Sequence, residues 1–449
     1  MAKIPLHSDS ICLVITKNAD ICQAAICCKI ILKSNPDHPD MQFWEYIFII
    51  SCAIVFYNYA GYAILAAILN LFIRKIPNPP DVPHSRDASD PTSTPATPGI
   101  SFIVAAFNEE DLIRNKILNS LDQDYPEDQI EFIFITDGSS DRTPERVAAY
   151  PGIRLLHEPQ RLGKSAAVNR AVGEARQDIL IFSDANTTLN RDAVRNIARH
   201  YSDPHVGGVA GEKKVISNAA QADGSGAGEG MYWKYESRLK KIDSDLYSVV
   251  GAAGELFSLR KELYEILPDN TILDDFVLSL KAAQKGFRII YEPQAYAMEL
   301  PSFSLKDEQK RKIRIAAGGF QSIVMLRSLF LFWRHPRLSF LYISHRVLRW
   351  TLSPLCLILA LVSNLILCFE SDNQLFKISF AMQLLFYGMA LISRVPVIMN
   401  HKYGKFFKIP YYFAFMNVSV ILGFFRYLKG SQSAIWEKAR RAEAGIITE

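Results

Sequence analysis

The stretch Ile130-Glu131-Phe132-Ile133-Phe134-Ile135-Thr136-Asp137-Gly138-Ser139-Ser140-Asp141 decides the fold. Its β-branched and aromatic first half reads as a strand buried in a parallel sheet. Its Asp-Gly-Ser ending delivers a carboxylate and free backbone N–H groups to the carboxyl edge of that sheet, where open α/β folds bind nucleotides. A second run, Ile179-Leu180-Ile181-Phe182-Ser183-Asp184-Ala185-Asn186, repeats the pattern and ends in Asp184, with an oxygen ligand two residues on at Asn186. Two acidic strand ends in one sheet suit a nucleotide diphosphate together with a hard divalent cation, Mg²⁺ or Mn²⁺. Asp and Ser are also ordinary N-caps, so either motif alone reads equally well as a helix start. The pair, together with Ala106-Phe107-Asn108-Glu109-Glu110 after the strand Ile100 to Ala105, favours a site and adds Asn108 and Glu109 to it.

Around these motifs strands and helices alternate. Strands are expected at Ile100 to Ala105, Ile130 to Ile135, Ile153 to His157 and Ile179 to Ser183. Helices are expected at Asp111 to Leu121, Thr143 to Ala149 and Lys164 to Glu174. Such alternation predicts an α/β domain, a mainly parallel sheet flanked by helices, over residues 99–320. A Pro-, Asp-, Ser- and Thr-rich linker, 76–98, precedes it. The glycine-rich piece Ala222 to Gly230 lacks the Lys-Ser/Thr ending of a phosphate-binding loop and reads as a mobile loop over the site.

The chain has 449 residues, 49% of them hydrophobic, and a net charge of +4. Its mean hydropathy is +0.06, the balance expected of a mixed membrane and soluble protein. Phe43 to Phe72 lacks Lys, Arg and Asp and is followed by Arg74 and Lys75, which predicts a transmembrane helix over 43–75 with its end in the cytoplasm. Residues 1–42 form a tail with no assignable element. Residues 321–449 read as an interfacial and transmembrane region, with spans at Trp350 to Phe369 and Leu375 to Ser393. The acidic turn Glu370 to Asn373 then lies outside and the basic loop from Arg394 to Lys408 inside. Ile409 to Tyr427, with Pro410 and Asn417, reads as a re-entrant or interfacial element. The protein is therefore expected to be a multi-pass protein of the cell (inner) membrane with its catalytic domain in the cytoplasm and membrane lipids as partners. Seven cysteines without metal-type spacing argue against a disulfide framework or a zinc site. No basic stripe with interleaved aromatics points to nucleic acid.

Asp137 can accept the imide N–H of a uracil, and Arg161-Leu162-Gly163-Lys164 opens a helix whose dipole adds to two cations in favour of phosphate. With the strand-end motifs, these residues resemble family 2 glycosyltransferases, and the likeness covers roughly residues 99–320. The resemblance implies a GT-A-like fold plus transmembrane helices at both ends, with Asp137 as the base-binding Asp and Arg161, Lys164 and Asn169 as phosphate-side contacts. Asp184 and Asn186 match the family's Asp-x-Asp metal motif with Asn at the last place, a neutral and weaker ligand. Gly251 to Arg260 resembles the acceptor loop of small residues. Leu273-Asp274-Asp275-Phe276 matches the acidic pair, with Asp275 as general base and Asp274 positioning it. Processive relatives carry Gln-x-x-Arg-Trp. Here Arg311 matches the Arg, Glu308 stands at the Gln place and Lys312 at the Trp place, Arg314 adds a second phosphate contact, and Trp233 or Trp436 would supply the missing aromatic.

The residues and the resemblance thus predict an inverting transferase of a hexosyl or N-acetylhexosaminyl group from a UDP-sugar to a growing polysaccharide or exopolysaccharide at the cytoplasmic face of the membrane. A close alternative adds one sugar to a lipid-linked acceptor. A different class, a membrane scaffold or transporter with a vestigial domain, would have no need to retain Asp137, Asp184 and Asp275 together.

Overall fold

The structure, a computed structural model, describes residues 39–72, 97–216, 225–300, 304–393 and 404–430. The tail before residue 39, most of the linker and Trp436 lie outside the described residues. In chain order, Pro39–Phe56 and Tyr62–Phe72, joined through a π-helical turn at Tyr57–Gly61, form the first helix, α1. The α/β domain follows as β1 (Ile100–Ala106), α2 (Glu110–Leu121), β2 (Ile130–Asp137), α3 (Thr143–Ala148), β3 (Ile153–Glu158), α4 (Lys164–Glu174), β4 (Ile179–Asp184) and β5 (Thr188–Leu189). Its second half is α5 (Ala193–Ala198), β6 (Val206–Val215), α6 (Ser225–Leu246), β7 (Leu256–Arg260), α7 (Asp274–Gln284) and β8 (Arg288–Glu299). The chain then enters α8 (Leu305–Met325) and α9, which runs from Pro336–Tyr342 through a π turn at Ile343–Val347 to Leu348–Trp350. Helices α10 (Leu352–Glu370), α11 (Gln374–Ile392) and α12 (Gly404–Leu428) complete it.

The eight strands of the described residues join one sheet in the order β3-β2-β1-β4-β7-β6-β8-β5. β1 pairs in parallel with β2 and β4, and β2 with β3, so the expected parallel core is present. Register does the positioning: Ala105 lies level with both Ile135 and Asp184, so the two acidic strand ends emerge at one edge. Ile100, Phe102 and Val104 on β1 are buried with Ile103, as a strand covered on both faces requires. β7 runs antiparallel between β4 and β6. It occupies the second half of the stretch expected to be a small-residue loop, so that loop is shorter than its sequence pattern implies. The glycine-rich piece also differs from expectation: from Ser225 onward it is the first turn of α6.

Gly251 precedes β7 at φ +83°, and a Cβ there would run into the Phe276 ring. Gly251→Ala therefore combines a left-handed backbone penalty with overpacking, and about 2–5 kcal/mol of lost stability is expected in detergent-solubilised unfolding experiments.

Among the described residues, four helical stretches are long and apolar enough to cross a membrane: Met41–Phe72, Leu352–Glu370, Gln374–Ile392 and Phe407–Leu428. The last was expected to be re-entrant or interfacial, yet it is one continuous helix despite Pro410. It is held along α8 by close approach at Gly423, where a Cβ would stand 2.5 Å from Ala316 Cβ. The membrane helices are tied to the α/β domain through α6. Tyr62 of α1 donates to Asp243 (2.5 Å), which also meets His345 Nδ1 (2.5 Å). Glu236, two turns earlier on α6, is paired with Arg346 and with Arg349 (3.1 Å) from α9. Buried charges of this kind persist only when paired, and here the pairing fastens α6 to α1 and α9.

Candidate active site

At the end of β1, Asn108 adopts φ +53°, a left-handed turn that Asn tolerates. Its Oδ1 accepts from Ser140 N (2.8 Å) and its Nδ2 donates to Ser140 Oγ (3.2 Å), clasping the β1 end to the β2 end. Glu109 N donates to Thr143 Oγ1 (2.9 Å), which brings its side chain to the cleft wall. Asp137 is buried and accepts from Gly163 N (2.7 Å), Leu162 N (3.2 Å) and Arg170 Nη2 (3.3 Å). This carboxylate shapes the Arg161-to-Lys164 loop, and Gly138 beside it, at φ +67°, is needed because a Cβ would stand 2.6 Å from Arg161 Cβ. Arg161 lies over the Phe107 ring, 3.6 Å from its centroid. Asn169 accepts from Tyr264 OH (2.7 Å) and donates to Leu267 O (3.1 Å), so it braces α4 from within the domain.

A cleft of about 1590 Å³ opens at this sheet edge, and Lys164, Asp184, Asn186, Asp274, Asp275, Arg311 and Arg314 all line it. Lys164 Nζ donates to Asp184 Oδ1 at 2.7 Å. Burial alone would lower the pKa of Lys164, but Asp184, Asp274 and Asp275 outweigh it and hold the ammonium well above its ordinary value. The small residue Gly254 is what lets these groups meet: a Cβ there would lie 3.3 Å from Lys164 Nζ and 3.4 Å from Asp275 Oδ2. Asp275 is pushed up to about 7 by burial and by Asp274, against the pull of Lys164. A carboxylate with that proton affinity, at the first turn of α7, has the property a general base near neutrality requires.

Several residues that shape the cleft carry no signal in the local sequence. Lys213, on β6, is buried between Glu255 and Glu299, and Glu299 also accepts from Asn186 Nδ2 (3.4 Å). Although burial works the other way, Lys213 holds the Glu255 carboxyl well below the usual range. Lys116 lies beneath β4, 2% exposed, donating to Ser183 Oγ (2.7 Å), Thr187 O (3.1 Å) and Thr187 Oγ1 (3.2 Å). Burial brings its pKa down to about 7. Lys312, at the place of the expected tryptophan, is largely buried in the cleft wall. It pairs with Glu308 (3.3 Å), which also holds Arg311 (3.0 Å).

The donor set suits a hard cation. Asp184 and Asn186 offer only oxygen ligands, both face the open cleft, and a positive charge already sits on Asp184 in the form of Lys164. Among the described residues no group of three His, Cys, Asp or Glu side chains is gathered to hold an ion alone. The pair therefore fits a cation whose remaining positions are filled by phosphate and water, the habit of Mg²⁺.

Residues 101–267 match the model of Glycosyl transferase family 2. The chain carries a family 2 glycosyl transferase domain. That match ends short of Asp274 and Asp275, which the start of α7 nonetheless brings to the same cleft. The chain is 28% identical over 242 residues to a poly-beta-1,6-N-acetyl-D-glucosamine synthase of Staphylococcus aureus, covering 52% of this chain and 57% of that one. It is 26% identical over 263 residues to an N-acetylglucosaminyltransferase of Rhizobium meliloti, covering 54% and 61%. It thus spans a little over half the length of these relatives. The chain's fold is similar to that of a mannosyltransferase of Pyrobaculum calidifontis, solved with GDP-Man and Mn²⁺, which superposes with a TM-score of 0.65 over 86% of this chain and 99% of that one, at 22% identity.

Proposed function

We propose that the protein is an inverting glycosyltransferase that moves an N-acetylhexosaminyl or hexosyl group from a UDP-sugar to a growing polysaccharide at the cytoplasmic face of a membrane. The single observation that carries this reading is the convergence of Asp184, Lys164 and Asp275 at Gly254, on one edge of a parallel sheet. The names of the synthase and N-acetylglucosaminyltransferase relatives support the donor class.

In this reading the loop shaped by Asp137 holds the nucleotide, with its Asp137 carboxylate behind the base and Arg161 and Lys164 toward the phosphates. Asp184 and Asn186 hold Mg²⁺ or Mn²⁺, which when bound neutralises the charge that develops on the departing diphosphate. Lys164 exchanges its place on Asp184 for the phosphates, and Arg311 and Arg314 face them from α8. Asp275 takes the proton of the acceptor hydroxyl as its oxygen bonds to the anomeric carbon. The bond from that carbon to the phosphate oxygen breaks, and the nucleoside diphosphate leaves with the electron pair. Asp274 keeps the pair negative and the base basic.

The test is to incubate the purified protein in lipid nanodiscs with a panel of radiolabelled UDP- and GDP-sugars and to separate lipid from polymer products. Label from a UDP-sugar in a polymer fraction is expected; a lipid-only product would favour the single-transfer alternative, and no product from any donor would sink the reading. Lys116 offers a further check. Its three hydrogen bonds order the Ser183-to-Thr187 turn that carries Asp184 and Asn186, so Lys116→Met is expected to raise the donor KM about tenfold, the effect of roughly one charge-assisted hydrogen bond. Donor-saturation kinetics measure it.

A further inference from the structure

Trp233, Glu236, Lys240 and Asp243 lie three or four residues apart and so form one stripe along α6. The two acids of the stripe are committed: Glu236 to Arg346 and Arg349, Asp243 to Tyr62 and His345. Lys240 is not. It is 2% exposed and lines the cleft, and among the described residues no hydrogen bond or ion pair reaches its ammonium. What stands beside it is the Trp233 indole, 5.6 Å from Nζ to the ring centroid. A buried ammonium without acceptors is unfavourable, and burial lowers its pKa accordingly. An acceptor-rich ligand in the cleft would relieve it.

The location narrows what that ligand is. Lys213 lies 5.0 Å from the same indole and joins it to Glu255 and Glu299, and Glu299 meets Asn186. The charge of Glu255 acts on both Asp275 and Lys240. In the sheet, β4 with Asp184 stands between β2 with Asp137 on one side and β6 and β8 with Lys213 and Glu299 on the other. The indole and the ammonium thus line the same cleft as Asp275, beside Lys213 on β6 rather than beside the Asp137 loop. A half-buried aromatic face next to three unspent N–H donors suits a pyranose: apolar C–H surface on one side, ring hydroxyls on the rim.

We propose that Trp233 and Lys240 form the subsite that holds the acceptor sugar, the indole against the ring face and the ammonium donating to its hydroxyls. This deepens the glycosyl-transfer reading and rests on it for the identity of the second substrate. The aromatic platform then comes from α6, while Lys312 at the expected tryptophan position pairs with Glu308 and lies 5.7 Å from the centroid of the same Trp233 indole.

The test uses the full chain in nanodiscs, with UDP-N-acetylglucosamine as donor and a β-1,6-linked N-acetylglucosamine oligosaccharide as acceptor probe. Lys240→Met and Trp233→Ala are expected to raise the acceptor KM at least tenfold while moving the donor KM less than twofold. Lys240→Arg and Trp233→Phe, which keep the charge and the flat face, are expected to recover most of the loss. Acceptor KM values within twofold of wild type for both Lys240→Met and Trp233→Ala would overturn the subsite, as would parallel rises in both KM values. Calorimetric titration of the oligosaccharide reads the subsite without turnover. Binding weakened tenfold by Lys240→Met supports it even if the wild type transfers no sugar, a failure of the transfer reading alone, and absence of binding to the wild type overturns it.

Discussion

Asp275→Asn is expected to lower the rate of sugar transfer by roughly a hundred- to ten-thousand-fold, the usual contribution of a general base, while nucleotide binding changes little. The variant keeps the shape of the α7 N-terminus and the Lys164–Asp184 contact but removes the group that takes the proton. Transfer within threefold of wild type would reject Asp275 as the base. The same assignment fixes a pH dependence. Burial and Asp274 raise the Asp275 pKa to about 7, and a base works only unprotonated. The kcat/KM of wild type is therefore expected to fall as pH drops through neutrality, with an acid limb near pH 7 in a profile of the free enzyme. A profile flat from pH 6 to 8 would contradict it.

Asp184→Ala has the second-largest expected effect, because it removes both the strand-end carboxylate proposed to hold the cation and the partner of Lys164. Losing one of two protein ligands to an ion that leans on its substrate for the rest should abolish any Mn²⁺ dependence of UDP binding and lower transfer by at least about a hundredfold. Calorimetric UDP titrations with and without Mn²⁺ give the answer; a variant whose UDP affinity still responds to Mn²⁺ would exclude Asp184 as a ligand. The neighbouring Asn186 has a reason to be neutral. Its amide donates to Glu299, and a carboxylate in its place would face Glu299 directly.

The first half of the domain was legible because β1, β2 and β4 are mainly apolar runs followed by turn motifs, the pattern a doubly covered parallel strand imposes. The positions of Asp137, Asp184 and Asp275 in the fold were legible for a related reason: each sits at the end of a strand or the start of a helix, where local chemistry marks it. What the sequence hid is long-range. Lys213 finds Glu255 and Glu299, and Lys116 finds Ser183, only because strands far apart in the chain become neighbours. The start of α6 was misread since Gly226, Gly228 and Gly230 have poor helix propensity, and tertiary contacts of Glu236 and Asp243 further along the same helix outweigh it. β7 was hidden among small residues because antiparallel pairing with β4 and β6, rather than its own composition, makes Leu256–Arg260 a strand. Asn169 and Asp137 show a further limit, in that both stand where the family motif expects them yet spend hydrogen bonds on their own fold.

The most direct test of single-step transfer to an acceptor activated by Asp275 is the anomeric configuration of the first new glycosidic bond, read by NMR on product formed from an α-linked nucleotide-sugar. A lone base beside the acceptor predicts a β-linkage, with inversion, because the hydroxyl attacks the face opposite the departing diphosphate. An α-linkage, with retention, would contradict the account.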